Sequence, residues 1–217
     1  MDIGMPAWGD PCSVIYGASI FTTTTPYALN PTAMNSAIAA ATGSILVLDA
    51  ESPDPIDVPT LINALIQARS ASNQPVGFYC LSLGNYWDAN GAHGVLSQNA
   101  WYNLNDSYAP LLALVDFICP SLYTYYPDQA GWMQYALENI SEAKRTAPGK
   151  PVYPFIMPEY DPSASNGLAG TYVGDPYWRM QLSTIRALAD GVIVWGGYQA
   201  EWNTANSWQP MALEFAA

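Results

Sequence analysis

The amino-acid sequence predicts an α/β fold: a small, closed but distorted (β/α) TIM-like barrel of six to seven parallel strands, in a single domain over residues 1–217. Three observations predict it. Short apolar runs recur along the chain, helical patterns separate them, and polar or aromatic residues directly follow the runs. The runs are continuous rather than alternating, which is typical of parallel strands that are covered on both faces. This length suits one domain with one core.

Six apolar runs are the predicted strands, and helical patterns lie between them at spacings of about 30 to 40 residues. Such alternation indicates repeated βαβ units. A seventh strand would have to come from the amino-terminal segment. The six runs cover residues 14–18, 45–48, 76–80, 117–122, 152–156 and 192–195.

The helices are predicted from capping residues and from apolar residues at helical spacing. The first follows Asn30, a capping residue type, and has Pro31 in its first turn. The four predicted helices span residues 31–41, 59–69, 129–145 and 177–188. Two long loops, 83–107 and 161–175, are expected to cover a site, because long loops in compact domains usually do.

Charge and hydropathy limit the classes of partner. The sequence has 6 lysines and arginines against 18 acidic residues, a net charge of −12. A nucleic-acid partner would require a basic face, so we expect none. No run of about 18 apolar residues exists, so we expect no membrane span. The first residues show no signal-peptide pattern, so we expect synthesis in the cytoplasm and leave the final compartment open, including release or a virion.

Cysteine and histidine content argues against several kinds of site. The 3 cysteines lack metal-ligand spacing and are interpreted as small apolar residues, with one pair left open. His93 is the only histidine, which excludes a histidine-rich zinc site, and we interpret it as an exposed loop residue. We expect no cofactor and no metal. The 8 tryptophans and 15 tyrosines suit either a packed core or a sugar-binding surface.

The second predicted strand ends in two carboxylates, Asp49 and Glu51. At this spacing on a continuing strand both side chains point to the same side, with Cβ atoms about 7 Å apart. Each influences the titration of the other, so one is expected to hold a proton near neutral pH. Such a carboxylic acid can protonate a glycosidic oxygen. In a barrel the carboxyl ends of the strands converge on one mouth, where Tyr79, Tyr123 and Trp195 are also expected.

Several further segments follow this pair in a fixed order. They are Gly77-Phe-Tyr79, Asn85-Tyr86, Pro120-Ser-Leu-Tyr123, Lys150-Pro-Val-Tyr-Pro-Phe155 and Gly191-Val-Ile-Val-Trp195-Gly196. Together with Asp49-Ala-Glu51, this ordered set resembles the hyaluronidase family of glycoside hydrolases over residues 45–197. The sequence departs from the family at Ala50, where the family has an aromatic residue, and at Cys119, where it has a tyrosine.

The resemblance implies a distorted (β/α) barrel and a substrate-assisted retaining mechanism, in which the 2-acetamido oxygen of the substrate attacks the anomeric carbon. Glu51 would be the general acid and later the base, and Asp49 would orient the acetamido group. The implied substrate is an N-acetylhexosamine polysaccharide, and the acidity of the chain makes us expect a neutral glycan rather than hyaluronan. The substrate-binding residues would be Tyr79, Tyr86, Tyr123 and Trp195.

Two alternatives stay open. If Glu159 faces Glu51 at about 5 Å, a lysozyme-type hydrolysis with two carboxylates follows; otherwise Glu159 and Tyr160 are expected to bind substrate at the rim. The same mouth would also suit a non-catalytic carbohydrate-binding or virion adhesin module, within a larger particle, because a fold does not fix a function. Asp116 and Asp190 precede strands and are expected at the opposite, stabilising end of the barrel.

Overall fold

Strands alternate with helices along the chain, as the sequence predicts. The computed structural model describes residues 11–22, 27–51, 56–81, 97–164 and 167–196, together with Trp208 and Ala212. The strands are β1 (Cys12–Tyr16), β2 (Ile45–Asp49), β3 (Val76–Phe78), β4 (Phe155–Ile156) and β5 (Ile193–Val194). The helices are α1 (Gly17–Ile20), α2 (Pro31–Ala39), α3 (Val58–Ala71), α4 (Gln98–Ser107), α5 (Ala109–Leu112), α6 (Gln129–Thr146) and α7 (Asp175–Leu188).

The strands pair in parallel and in chain order. β1 pairs with β2, β2 with β3, and β4 with β5. Three isolated parallel bridges connect the two sheets: Tyr79 with Cys119, Ile118 with Val152, and Ser121 with Phe155. Residues 117–121 therefore lie between β3 and β4, in place of the fourth predicted strand. Among the residues described, β5 and β1 do not pair, so the structure consists of small parallel sheets where we predicted a closed barrel.

Buried side chains nevertheless form two clusters, on opposite faces of the strands, as alternation along a strand requires. The outer cluster is the main core, where strand residues such as Leu46 and Phe78 lie with helix residues such as Leu65 and Trp178. The inner cluster lies on the other face of the strands. Its buried members are Val47, Phe117, Cys119, Tyr123, Phe155 and Met157, and the residues packed against them are Cys12, Val14, Ile45, Tyr79, Tyr125, Tyr153, Ile193 and Trp195.

Prolines explain why two predicted strands are reduced to bridges and a short ladder. Pro120 lies inside the predicted strand 117–122, and Pro154 lies inside 152–156. Because proline has no N–H to donate, it interrupts a ladder of backbone hydrogen bonds. The first segment consequently pairs only at isolated positions, and β4 keeps only Phe155–Ile156 of its predicted length.

The four predicted helices are present, with ends that differ by at most two residues from the prediction. Two predictions are wrong. The first strand ends at Tyr16, and α1 begins where residues 17–18 were expected to continue it. The predicted loop 83–107 contains α4, which begins after Ser97, whose Oγ accepts the Ala100 N–H at 3.3 Å. The buried residues of this helix are Trp101 and Asn105. Because Asn105 is polar, the sequence lacks the apolar spacing from which a helix would be predicted.

Carboxylates that precede strands tie the amino ends of the sheet together, as predicted. Asp116 accepts the backbone N–H of Val76 at 2.8 Å, and its other oxygen lies 2.7 Å from Nη2 of Arg69. Asp190 in the same way accepts the N–H of Val152 at 2.9 Å. Each carboxylate therefore fixes the start of a neighbouring strand.

The three cysteines are free thiols, so the pair that the sequence left open is not formed. In the part of the chain that the structure describes, no helix combines the length and the apolar character needed to cross a bilayer.

Candidate active site

The second strand carries both predicted carboxyl groups at its carboxyl end. β2 lies between β1 and β3, and Asp49 is its last residue. Glu51 follows, and its backbone N–H donates to Oδ1 of Asp49 at 3.3 Å. Gly17, at the start of α1, packs closely against this segment. A methyl group there would lie 3.2 Å from the carbonyl oxygen of Glu51 and 3.3 Å from that of Asp49, so the two backbones fix each other's position.

The two carboxyl groups differ in their surroundings. Asp49 is half-buried, which raises its pKa, while the hydrogen bond from the Glu51 N–H acts in the opposite direction. Glu51 is exposed at the rim, yet its pKa is raised by partial loss of solvation and then by the negative charges of Asp49 and Asp161. Asp49 thus has a contact that favours its charged form, whereas these influences on Glu51 all oppose ionisation. The raised pKa of Glu51 favours the protonated form that a general acid requires.

Three aromatic side chains near the acid pair, those of Tyr79, Tyr123 and Phe155, pack together, and we call them the aromatic wall. The Tyr79 ring centroid lies 5.9 Å from that of Tyr123 and 5.0 Å from that of Phe155, the second contact being edge to face. The Tyr79 hydroxyl donates to Oγ of Ser121 at 3.1 Å. Burial holds the pKa of Tyr79 far above its ordinary value, and the charge of Glu51 adds to this effect. Tyr79 therefore stays protonated and lies within electrostatic reach of the acid pair.

Trp195 reaches the same region from the last strand. Its backbone N–H donates to the carbonyl oxygen of Ile156 at 2.8 Å, and its ring packs against the inner cluster. The ring also meets Tyr16 edge to face, with centroids 6.2 Å apart. Tyr16 is the last residue of β1 and the register partner of Asp49. This contact joins the carboxyl ends of β5 and β1, whose backbones do not pair within the described ranges.

The remaining predicted site residues are Tyr160, Glu159 and Tyr86. The ring of Tyr160 is buried in the outer cluster, edge to face with Tyr177 of α7 at 6.4 Å. It therefore packs with the outer cluster rather than with the inner aromatic residues, and its role in substrate binding stays a prediction. Glu159 is buried, and its backbone bridges to that of Tyr172. Tyr86 lies outside the described residues.

Sequence reasoning did not identify Ser121 as part of the site. Its Oγ holds the Tyr79 hydroxyl, and its carbonyl oxygen accepts the Tyr135 hydroxyl at 2.6 Å. Ser121 thereby connects the aromatic wall to helix α6. The signal was present, because Ser121 stands within the Pro120-Ser-Leu-Tyr123 segment, but its partner Tyr79 is 42 residues away in sequence.

Cys80 and Asp161 were also missed. Cys80 has a φ of +58°, a left-handed conformation that costs a non-glycine residue about 1–2 kcal/mol. Backbone strain of this kind clusters at functional sites. Burial, followed by the charges of Glu51 and Asp49, raises the pKa of the Cys80 thiol to about 12, which keeps it a neutral thiol beside the acids. Asp161 joins the site through its effect on Glu51.

Three basic residues lie close together in the sequence, Lys144, Arg145 and Lys150, and all three form contacts within the fold. Lys144 Nζ donates to the carbonyl oxygen of Leu188 at 2.7 Å, and Lys150 Nζ donates to that of Val115 at 2.5 Å. Arg145 pairs with Asp106 and Glu142. As for metals, no group of three or more histidine, cysteine or acidic side chains lies together within the described ranges as ligands would.

The geometry suits acid–base chemistry on an organic ligand. Glu51 can deliver a proton to a bound molecule, because its surroundings oppose ionisation. Asp49 can hold a negative charge beside it. The aromatic wall and Trp195 offer the kind of ring faces and hydroxyl groups that pack against sugars.

Comparison with solved structures identifies a similar fold. The monoclinic crystal structure of bee venom hyaluronidase matches 87% of this chain and 79% of its own, with a TM-score of 0.65 and 16% sequence identity. In fold, this chain is similar to bee venom hyaluronidase. The structure of bee venom hyaluronidase in complex with a hyaluronic acid tetramer gives a TM-score of 0.59 at 15% identity. No protein-family model and no curated protein sequence matches the chain.

The likeness to bee venom hyaluronidase confirms the hyaluronidase-like fold that the ordered motifs implied. At 16% identity it establishes the fold alone. The roles of Asp49, Glu51 and the aromatic residues therefore depend on the geometry described above.

Proposed function

We propose that this chain is a glycoside hydrolase that cleaves an N-acetylhexosamine-containing polysaccharide by a substrate-assisted retaining mechanism. The observation that carries the proposal is the acid pair at the end of β2, in which the Glu51 N–H donates to Oδ1 of Asp49 at 3.3 Å and burial raises the pKa of both carboxyl groups. The pair lies at the carboxyl end of parallel strands, where barrel enzymes hold their active sites. The hyaluronidase-like fold supports the same assignment.

In the first half of the reaction Glu51 is the general acid. The carbonyl oxygen of the substrate's acetamido group forms a bond to the anomeric carbon, and the bond from that carbon to the glycosidic oxygen breaks. The leaving oxygen takes the bonding electron pair together with the proton of Glu51. Asp49, as a carboxylate, accepts the acetamido N–H and balances the positive charge of the resulting oxazolinium ring.

In the second half Glu51 is the general base. Now a carboxylate, it removes a proton from a water molecule whose oxygen attacks the anomeric carbon. The bond to the acetamido oxygen breaks, which restores the acetamido group, and Glu51 is protonated again. Two displacements at one carbon retain its configuration.

The aromatic residues hold the sugar in place. We assign Tyr123 and Tyr79 to the acetamido group and Trp195 to the floor under the sugar ring. Rigidity supports these roles: Tyr79 is held by Ser121, Phe155 and Tyr123, and Trp195 is held by Tyr16. Fixed positions of this kind are what a reacting group needs, because reaction rates fall steeply with misplacement.

We expect the substrate to be uncharged. The chain carries a net charge of −12, and partial burial, followed by the charges of Asp49 and Asp161, raises the pKa of Glu51. A polyanion such as hyaluronan would be repelled within about one Debye length of this surface, which is roughly 10 Å at an ionic strength of about 0.1 M. A neutral N-acetylhexosamine polymer meets no such barrier.

The experiment combines binding and turnover. Binding of a thiazoline mimic of the N-acetylglucosamine oxazoline is measured by calorimetry and by structure determination, in the wild type and in Asp49→Ala. Hydrolysis of neutral N-acetylhexosamine polymers is measured for Glu51→Gln, with Glu138→Gln on α6 as the matched control. We expect Asp49→Ala to lose the mimic, and Glu51→Gln to lose about 10²–10⁴-fold in turnover while it still binds. Glu138→Gln should behave like the wild type.

Three results would contradict the proposal. If the mimic does not bind at millimolar concentration, the acetamido-assisted mechanism is wrong. If Glu51→Gln hydrolyses as fast as the wild type, Glu51 is not the acid. If the wild type binds oligosaccharides at the mouth but cleaves none, the chain is a carbohydrate-binding module on a hydrolase fold.

A further inference from the structure

Tyr16, the last residue of β1, is an exposed aromatic residue. Its relative exposure is 43%, and among the aromatic side chains that the structure describes it alone is exposed rather than buried or half-buried. A ring that is open to solvent gains contacts when a bound molecule covers it. Single exposed apolar residues are nevertheless common on protein surfaces, so the meaning of this one depends on its neighbours.

The side chain of Tyr16 lies on the inner face of the strands. Cys12 and Val14, which precede it in β1, pack against the inner cluster, whereas Ile15 belongs to the outer cluster. Since successive side chains of a strand point to opposite faces, Tyr16 shares the face of Cys12 and Val14. Its contact with Trp195, whose ring packs against the inner cluster, agrees with this orientation.

Tyr16 and Asp49 lie side by side on this face. They are register partners in the parallel pair of β1 and β2, and neighbouring strands are about 4.8 Å apart. On the other edge of β2 lies β3, and Tyr79, the residue after β3, packs against the inner cluster. Asp49 therefore has an aromatic residue on each side. The acid-bearing segment is also held close to β1, because a Cβ at Gly17 would lie 3.2 Å from the carbonyl oxygen of Glu51.

Trp195 forms a corner with Tyr16. The two ring centroids are 6.2 Å apart and the ring planes meet at 75°. Two rings at this angle touch along one edge, so the exposed part of the Tyr16 ring remains open beside the Trp195 ring. Tyr16 thus lies between Trp195, which we assign to the floor under the sugar, and Asp49, which we assign to its acetamido group.

We propose that Tyr16 is a further substrate-binding residue, whose exposed ring packs against the sugar unit that lies over Trp195 with its acetamido group at Asp49. The inference rests on the proposed function for the class of ligand, a neutral N-acetylhexosamine glycan. The C–H groups of a sugar cover an aromatic ring, and this ring is already held by Trp195, so binding orders little that was free before. The contact exists before and during the reaction, so it lowers KM rather than raising kcat.

The test measures binding of an N-acetylglucosamine tetramer by calorimetry, with Glu51→Gln present throughout so that no turnover disturbs the measurement. Tyr16→Leu, which removes the ring, should weaken binding about tenfold. Tyr16→Phe, which keeps the ring, should bind within about twofold of the parent. The matched control is Tyr153→Leu. The Tyr153 ring is also partly exposed, packs against the inner cluster and contacts Phe117 at 5.3 Å, but it precedes β4 and so lies at the amino end of the strands. Its loss should leave binding unchanged.

A second measurement asks whether the contact is direct, because Tyr16 also holds Trp195. Nuclear Overhauser effects between tyrosine ring protons and sugar protons are recorded by NMR in the complex, and those of Tyr16 are assigned by their change in Tyr16→Phe. We expect contacts from Tyr16 to the sugar. If Tyr16→Leu weakens binding but the Tyr16 ring shows no contact with the sugar, Tyr16 acts only by supporting Trp195 and the inference is wrong. This readout does not depend on the stability of Tyr16→Leu.

Turnover separates this inference from the proposed function. With Glu51 intact, the loss of kcat/KM in Tyr16→Leu should come from KM rather than from kcat. If the chain binds the tetramer through Tyr16 but cleaves no glycan, the proposed function fails and the sugar-binding role of Tyr16 stands. If the chain hydrolyses N-acetylhexosamine polymers while Tyr16→Leu binds as tightly as its parent, the proposed function stands and this inference is overturned. A chain that binds no such oligosaccharide at millimolar concentration overturns both.

Discussion

A single added methyl group at Gly77 tests whether Phe117 of the inner cluster packs over β3. An alanine Cβ there would lie 2.5 Å and 2.7 Å from ring carbons of Phe117 and 2.9 Å from its carbonyl oxygen. Phe117 is buried, so its ring has no solvent-filled space to move into. Overpacking of this kind costs typically 1–3 kcal/mol, and contact with a backbone atom places Gly77→Ala near 3 kcal/mol. For a domain of this size that lowers Tm by roughly 6–12 °C.

The assay is thermal and urea unfolding of Gly77→Ala, with Gly191→Ala, just before β5, as the control. At Gly191 the added Cβ meets only the Tyr153 ring, at 3.0 Å and 3.2 Å, and this ring is partly exposed. We expect a loss there of about 1 kcal/mol or less. Phe117→Leu alone should cost about 1–2 kcal/mol, and in combination with Gly77→Ala the loss should be smaller than the sum. A Gly77→Ala variant within 0.5 kcal/mol of the wild type, or strictly additive losses, would show that Phe117 does not lie over this strand.

Two further predictions concern the acid pair. Gly17→Ala places a methyl group 3.2 Å from the Glu51 carbonyl oxygen, which forces a displacement of a few tenths of an ångström. We expect kcat/KM to fall about tenfold, while the free energy of unfolding changes by less than about 0.5 kcal/mol. An unchanged kcat/KM would mean that the segment tolerates the shift. Burial raises the pKa of Asp49 in the folded state above its ordinary 3.8. In the pH window between 3.8 and the folded-state pKa, the folded state binds more protons than the unfolded state, so stability falls as pH rises through this window. Thermal unfolding should therefore show Asp49→Asn level with the wild type below pH 3.8 and more stable than it above the window, whereas a constant difference at all pH values would contradict the raised pKa.

The parts of the fold that could be predicted from the sequence are those that depend on local pattern. The apolar run of β2 and its terminal acids, the cap at Asn30 and the aspartates before strands were all predicted and are present. Each depends on residues that are neighbours in the chain or on a rule about strand ends. The short β4 was also within reach, because Pro154 is visible in the sequence and a proline breaks a ladder.

What could not be predicted depends on contacts between distant segments. No local pattern connects Ser121 with Tyr79, or Asp161 with Glu51, because the folding of several βαβ units brings them together. The packing of Tyr160 in the outer cluster could not be predicted for a related reason: successive residues near a strand end alternate between the two faces, and a shift of one residue changes the face. The left-handed backbone at Cys80 has no signal in a residue type that rarely adopts it.

Carboxylates lie at both ends of the strands but have opposite effects there. This contrast indicates the position of the site independently of any relative. At the amino ends, Asp116 and Asp190 accept strand N–H groups, and Arg69 adds a positive charge. At the carboxyl ends, the charges that influence Glu51 are those of other carboxylates. Carboxylates that are hydrogen-bonded to strands stabilise a fold. Carboxylates that lie close to one another destabilise the fold unless one of them keeps its proton. Under the proposed function the second arrangement has a use, because a carboxylic acid that retains its proton is what the departure of a glycosidic oxygen requires.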